Sequence, residues 1–73
     1  MVLTFYDHLE VSHIASQETI EATYKSLVKR YHPDVNDSEE AHERIKWITE
    51  AYRVLKDPEK RREYDMEIGV RRS

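Results

Sequence analysis

Two amphipathic helical patterns, separated by a proline turn, leave this chain few ways to fold. Ile20, Thr23, Tyr24, Leu27, Val28 and Tyr31 recur at i, i+3, i+4, i+7, i+8 and i+11. That spacing is one face of a helix. Ala41, Ile45, Ile48, Tyr52 and Leu55 recur at i, i+4, i+7, i+11 and i+14. They form a seam of the kind that joins antiparallel helical hairpins. Trp47, Ala51 and Val54 lie along one flank of it. Tyr31-His32-Pro33-Asp34, between the two patterns, fits neither. Pro33 has no N–H and pushes His32 out of helical geometry, so the first helix should end at about Tyr31. His32 and Asp34 should then project from a short, stiff bend, next to a basic helix end. That makes the bend a candidate recognition tip.

The remaining elements follow from capping chemistry. Residues 1–4 are expected to be an extended lead-in. Phe5, Tyr6 and Leu9 suit a short docked helix, too short to stand alone. A loop over 12–15 follows, from which Ile14 could plug the core. Ser16 is a good N-cap, with acidic Glu18 and Glu21 near the helix start and Lys29 and Arg30 near its end, as the macrodipole favours. Asp37 or Ser38 should cap the second long helix, and Asp37 with Glu40 resembles a capping box. Asp57 and Pro58 suit the N-cap and first position of a last helix running to Ile68, with Gly69 beyond its end. Tyr64 and Ile68 are its expected core contacts, and 69–73 should fray.

The fold class is therefore all-α: a small bundle with a long antiparallel hairpin, an exposed turn between its helices and two short flanking helices. With 73 residues, the chain makes one small domain that buries only ~60% of its unfolded surface. It has no cysteine, so packing must replace disulfides or a Cys-based zinc site. No apolar run approaches the ~20 residues of a membrane span, and no signal-peptide pattern opens the chain. A cytoplasmic domain, monomeric in isolation, is the expectation. A net charge of −3 argues against general nucleic-acid binding. His8, His13, His32 and His42 share no i, i+3 or i, i+4 relation, so no metal and no cofactor are expected.

At this point the residues carry a resemblance. Tyr6-Asp7-His8-Leu9-Glu10-Val11, Ile20, Tyr24, Leu27 through Tyr31-His32-Pro33-Asp34, Glu50-Ala51-Tyr52, Val54-Leu55, Asp57-Pro58 and Lys60-Arg61 through Tyr64-Asp65 resemble the J-domain of DnaJ-type co-chaperones. The resemblance runs from Tyr6 to Asp65 and implies a J-domain over 5–68. It also implies a partner, a DnaK-type seventy-kilodalton chaperone whose ATP hydrolysis the domain stimulates, and no covalent chemistry of its own. Partner contact would fall to His32, Pro33 and Asp34, with Lys25, Lys29 and Arg30 on the preceding helix. Four positions depart from the pattern. Glu10 stands where the family often has Gly, and Ile45 replaces a frequent Phe. Ser26 and Val35 occupy often basic positions, which thins the positive surface.

Each feature also has a plainer explanation. His32 and Asp34 could simply close a proline turn. Lys25 and Lys29 could pair with Glu39, Glu40 and Glu43 of the neighbouring helix, each exposed pair contributing roughly 0–1 kcal/mol. Tyr6, Leu9, Tyr24, Leu27, Tyr31, Ile48, Tyr52, Leu55 and Tyr64 read as core, and Trp47 as a half-buried residue covering the last helix. Lys60-Arg61-Arg62 and Arg71-Arg72 read as solvated faces. They also supply the alternative function, a small helical nucleic-acid-binding module using this basic C-terminal stretch.

Overall fold

A computed structural model of the chain describes residues 3–69. Its helices are α1 (Phe5–His8), α2 (Gln17–Arg30), α3 (Glu39–Leu55) and α4 (Pro58–Ile68), and no strand occurs among the described residues. α1, α2 and α4 all pack on α3. The hairpin of α2 and α3 is thus the frame, with the two flanking helices leaning on its second arm. The expected fraying of 70–73 and the first two residues of the lead-in lie outside the described residues.

Side-chain caps set most of the helix starts. The Ser16 hydroxyl accepts the Thr19 N–H at the start of α2. Ser38, rather than Asp37, caps α3 by accepting the Ala41 N–H. The box suggested for Asp37 and Glu40 does not form, since the cap is one residue later, and Asp37 lies 2.9 Å from His42 Nε2. A true capping box sits at Thr4 and Asp7, in the segment expected to be a lead-in. The Thr4 N–H donates to the Asp7 carboxylate at 2.8 Å, and this bond holds the Asp7 carboxyl below its usual range. Four residues cannot hold a helix by propagation alone, so the box and the burial of Tyr6 and Leu9 hold α1 in place. Asp57 caps α4, Pro58 opens it, and Gly69 closes it at φ 80°, a conformation that costs glycine nothing.

The core is Tyr6, Leu9, Ile20, Leu27, Ile48, Ala51 and Leu55, each aliphatic Leu or Ile contributing about 1.5–3 kcal/mol by burial. Tyr24, Tyr31, Tyr52 and Tyr64 pack around it, partly exposed. Tyr24 and Tyr52 stack across the hairpin with ring centroids 3.8 Å apart. Ala51 is fully buried and belongs to the seam rather than its flank. Ile14 does not plug the core: it is 73% exposed, and Val11 and Ala15 pack there instead. Trp47 covers α1 rather than the last helix. Its indole stacks on His8 with centroids 5.2 Å apart, and its N–H donates to Glu43.

The largest departure from expectation is α4. Ile68 is exposed and Tyr64 only half-buried, while the buried residues of this helix are Arg61 and Asp65. Arg61 is thus not part of a solvated basic face. Its Nε–H donates to the Tyr6 hydroxyl at 3.0 Å and Nη1 to Gln17 Oε1 at 2.6 Å. Nη2 donates to the carbonyls of Ala15 at 2.6 Å and His13 at 3.2 Å. The Tyr6 hydroxyl in turn donates to the Asp65 carboxylate. Gln17 passes the connection on, donating to the carbonyls of Leu55 and Lys56 at the end of α3.

Truncating Arg61 would leave several buried acceptors unpaired at once. Arg61→Met should therefore cost at least about 3 kcal/mol in denaturant unfolding. Exposed Arg62→Met should stay within about 0.5 kcal/mol of the unchanged protein. Equal midpoints for the two variants would remove Arg61 from this account of the fold.

Candidate functional site

The turn that joins α2 to α3 is built almost entirely from its own backbone. α2 ends because Tyr31, at φ −105° and ψ 12°, leaves helical geometry, although its N–H still donates to Leu27. The next carbonyl, that of His32, accepts two N–H groups, from Val35 at 2.9 Å and Asn36 at 2.8 Å. Asn36 Oδ1 accepts the Ser38 hydroxyl, and Ser38 caps α3. A short relay of hydrogen bonds thus ties the bend to the start of the second long helix. Pro33 lies inside this bend, where its fixed φ removes a degree of freedom.

His32 and Asp34 both project from it. The Asp34 side chain is 91% exposed and that of His32 52%. The Asp34 N–H donates to His32 Nδ1 at 3.2 Å. The Asp34 carboxylate lies 3.6 Å from the same nitrogen, too far for a hydrogen bond. With Nδ1 accepting the Asp34 N–H, a neutral ring would carry its proton on Nε2. The tip thus offers an exposed imidazole and a solvated carboxylate.

Lys25, Lys29 and Arg30 are all exposed on α2. The pairing of Lys25 and Lys29 with Glu39, Glu40 and Glu43 that the plainer reading allows does not occur. Lys25 pairs within its own helix, 3.3 Å from Glu21. Among the described residues, Lys29 and Arg30 make no ion pair, so their charge faces solvent. Of the C-terminal basic stretch, Lys60 and Arg62 are exposed, Arg61 is 3% exposed, and Arg71 and Arg72 lie outside the described residues. No group of three or more acidic, His or Cys side chains is placed to hold a metal among the described residues.

Two further residues lie near the site: Arg44, which no sequence feature singles out, and Glu10, marked only by its departure from the family's frequent glycine. Arg44 on α3 donates to the Glu10 carboxylate at 2.8 Å and lies 5.8 Å from the centroid of the Tyr31 ring. Glu10 itself sits at φ 57°, the one non-glycine residue with positive φ among those described. Its position after Leu9 is neither helical nor relaxed, which accounts for the glycine that the resemblance leads one to expect there.

A helical hairpin flanked by two shorter helices, presenting an exposed His-Pro-Asp turn where its two arms join, defines a class of small helical module. Residues 4–65 match the DnaJ domain, and the chain belongs to that family. It is similar to the "Chaperone protein DnaJ 2" of Thermus thermophilus, at 57% identity over 61 residues, covering 84% of this chain and 22% of that protein. The "Chaperone protein DnaJ 2" of Aquifex aeolicus is 52% identical over 62 residues, covering 85% of this chain and 16% of that one. The "Chaperone protein DnaJ" of Dictyoglomus thermophilum is 49% identical over 61 residues, covering 84% and 16%. The chain spans about a fifth or less of the length of these relatives. No described helix is long and apolar enough to cross a membrane.

The tautomer can be read directly. In ¹⁵N-detected NMR of the neutral ring, His32 should show an unprotonated Nδ1 and a protonated Nε2. The opposite tautomer would mean that the bond from the Asp34 N–H does not persist in solution.

Proposed function

We propose that residues 5–68 are a co-chaperone module that docks on a DnaK-type chaperone in the cytoplasm and stimulates its ATP hydrolysis. The observation that carries this reading is the exposed Asp34 carboxylate beside the exposed imidazole of His32. Both sit on a bend held by backbone bonds, next to a cationic helix end. The tip reaches a partner without unfolding anything. Asp34 meets a cationic group of the partner, a charge-assisted bond contributing about 1.5–3 kcal/mol. His32 donates from Nε2, and Pro33 fixes the direction of both. Lys29 and Arg30 supply attraction and register, with Lys25 contributing less because Glu21 already shares its charge.

The module breaks no covalent bond. Hydrolysis takes place in the partner's own site, and stimulation requires that the module bind one state of the partner more tightly than the others. Relatives carrying the name of chaperone proteins and the match to the DnaJ domain support the co-chaperone role. The nucleic-acid alternative loses a cation, because Arg61 is enclosed by hydrogen-bond partners.

Asp34→Asn keeps the size of the side chain and removes its charge. It should keep the thermal midpoint, at a cost within about 1 kcal/mol, and lose most stimulation in single-turnover hydrolysis with a DnaK-type partner. His32→Gln should behave alike, whereas Leu27→Ala should lose activity by unfolding, at a cost of ~2–5 kcal/mol. Full stimulation by Asp34→Asn would sink the assigned role.

Electrostatic steering has its own signature. Lys29→Ala/Arg30→Ala should slow association, and added salt should weaken the unchanged protein more than the double variant. Identical salt slopes would take the strip out of the mechanism.

A further inference from the structure

Just behind the turn, three side chains from three different segments meet. Glu10 comes from the loop after α1, Arg44 from α3 and Tyr31 from the end of α2. Tyr31 is the last residue before the tip. Its N–H belongs to the helix, its φ and ψ do not, and its ring is the part of it that tertiary structure can hold. The ring packs against the core on the inside, and the Arg44 guanidinium stands over it, 5.8 Å from the centroid.

Few contacts decide where this guanidinium points. Nη2 donates to Glu10 at 2.8 Å, and the buried Nε has no hydrogen-bond acceptor among the described residues. Without Glu10, the group would gain hydration by swinging outward and would leave the Tyr31 ring. Glu10 in turn occupies a left-handed conformation, φ 57°, that glycine would adopt without strain. A glycine there could not reach Arg44. The chain thus holds a strained residue at the position from which the arginine is anchored, and strain of that kind points to a side chain with work to do.

We propose that Arg44 is a positioning residue for the His-Pro-Asp turn: anchored by Glu10, it braces Tyr31 and so sets the direction in which His32 and Asp34 leave α2. This rests on the reading of that turn as the contact surface. Arg44 need not touch the partner. It narrows the range of orientations the tip samples, so that binding has less disorder to remove.

Glu10→Gly separates this role from a purely structural one, because the two predict opposite pairings of stability and activity. Relief of the left-handed strain should hold or raise the thermal midpoint. Loss of the anchor should lower stimulation of a DnaK-type ATPase by about two- to fivefold, the factor that an ordered ion pair supports. Arg44→Met should lower stimulation to the same extent. Arg44→Lys, which keeps the charge but not the flat guanidinium, should fall between. The double variant Glu10→Gly/Arg44→Met should be no worse than either single one, since both break the same brace. In the free proteins, the amide resonances of His32 and Asp34 should shift and broaden in both single variants. Unchanged stimulation with unchanged amide resonances in Glu10→Gly would overturn the proposal, as would activity that merely tracks the thermal midpoint. Should the unchanged protein itself fail to stimulate, the functional reading falls, and the amide resonances alone still decide whether Arg44 positions the turn.

Discussion

The Arg61 guanidinium joins parts of the chain that hydrophobic burial alone would leave loosely related. It bonds to α1 through Tyr6, to the following loop through His13 and Ala15, and to α2 through Gln17. Gln17 continues the connection to the end of α3. Burying a cation costs several kcal/mol, and the cost is recovered only when its donors are matched and a counter-charge is near. Here four N–H bonds are matched, and the Asp65 carboxylate stands one phenol away. α4 has little apolar stripe of its own, since its buried residues are Arg61 and Asp65. It is docked by this polar hub together with Tyr64, whose ring stacks on Phe5 with centroids 4.6 Å apart. A hub demanding several bonds at once also tolerates fewer arrangements than an oily face would.

Helix positions were legible because each carries redundant local signals. The face of α2 repeats through several turns, Ser16 and Asp57 are strong caps, and Pro33 and Pro58 act on the backbone directly. The choice between Asp37 and Ser38 as cap stayed open because both residue types accept N–H bonds. His42, the partner of Asp37, lies outside the capping pattern. Ala51 was placed on the flank because periodicity ranks residues by size as well as angle, and an alanine gives little signal. Arg61 shares a helical stripe with Tyr64 and Ile68, at i+3 and i+7. That spacing was the available hint that it faces inward, but adjacent Lys60 and Arg62 hid it within a basic run.

The tip was legible for a different reason. His32, Pro33 and Asp34 are adjacent, and the bonds that hold them span at most a few residues, so local rules suffice. The brace behind them is invisible to such rules. Glu10 and Arg44 are 34 positions apart, and nothing in either neighbourhood requires the other. The strain at Glu10 was equally hidden, because a single sequence shows a residue but not its φ. Trp47 illustrates the same limit: it is 39% exposed rather than half-buried against the last helix, and its stacking partner is His8 on α1.

Stability and presentation occupy opposite ends of the hairpin. The hub lies where α4, α1 and the start of α2 converge on the end of α3. The turn lies at the other end, held by its own backbone and by the ring of one tyrosine. Changes in how the tip is presented can therefore leave most of the folding free energy untouched. Charge is divided in a compatible way. Although the chain carries a net charge of −3, the glutamates of α3 do not pair with Lys29 and Arg30. The end of α2 stays locally positive on an acidic protein. Under the proposed function, such a separation would let the exposed strip supply long-range attraction to a negatively charged surface while the rigid turn offers a carboxylate at one defined point.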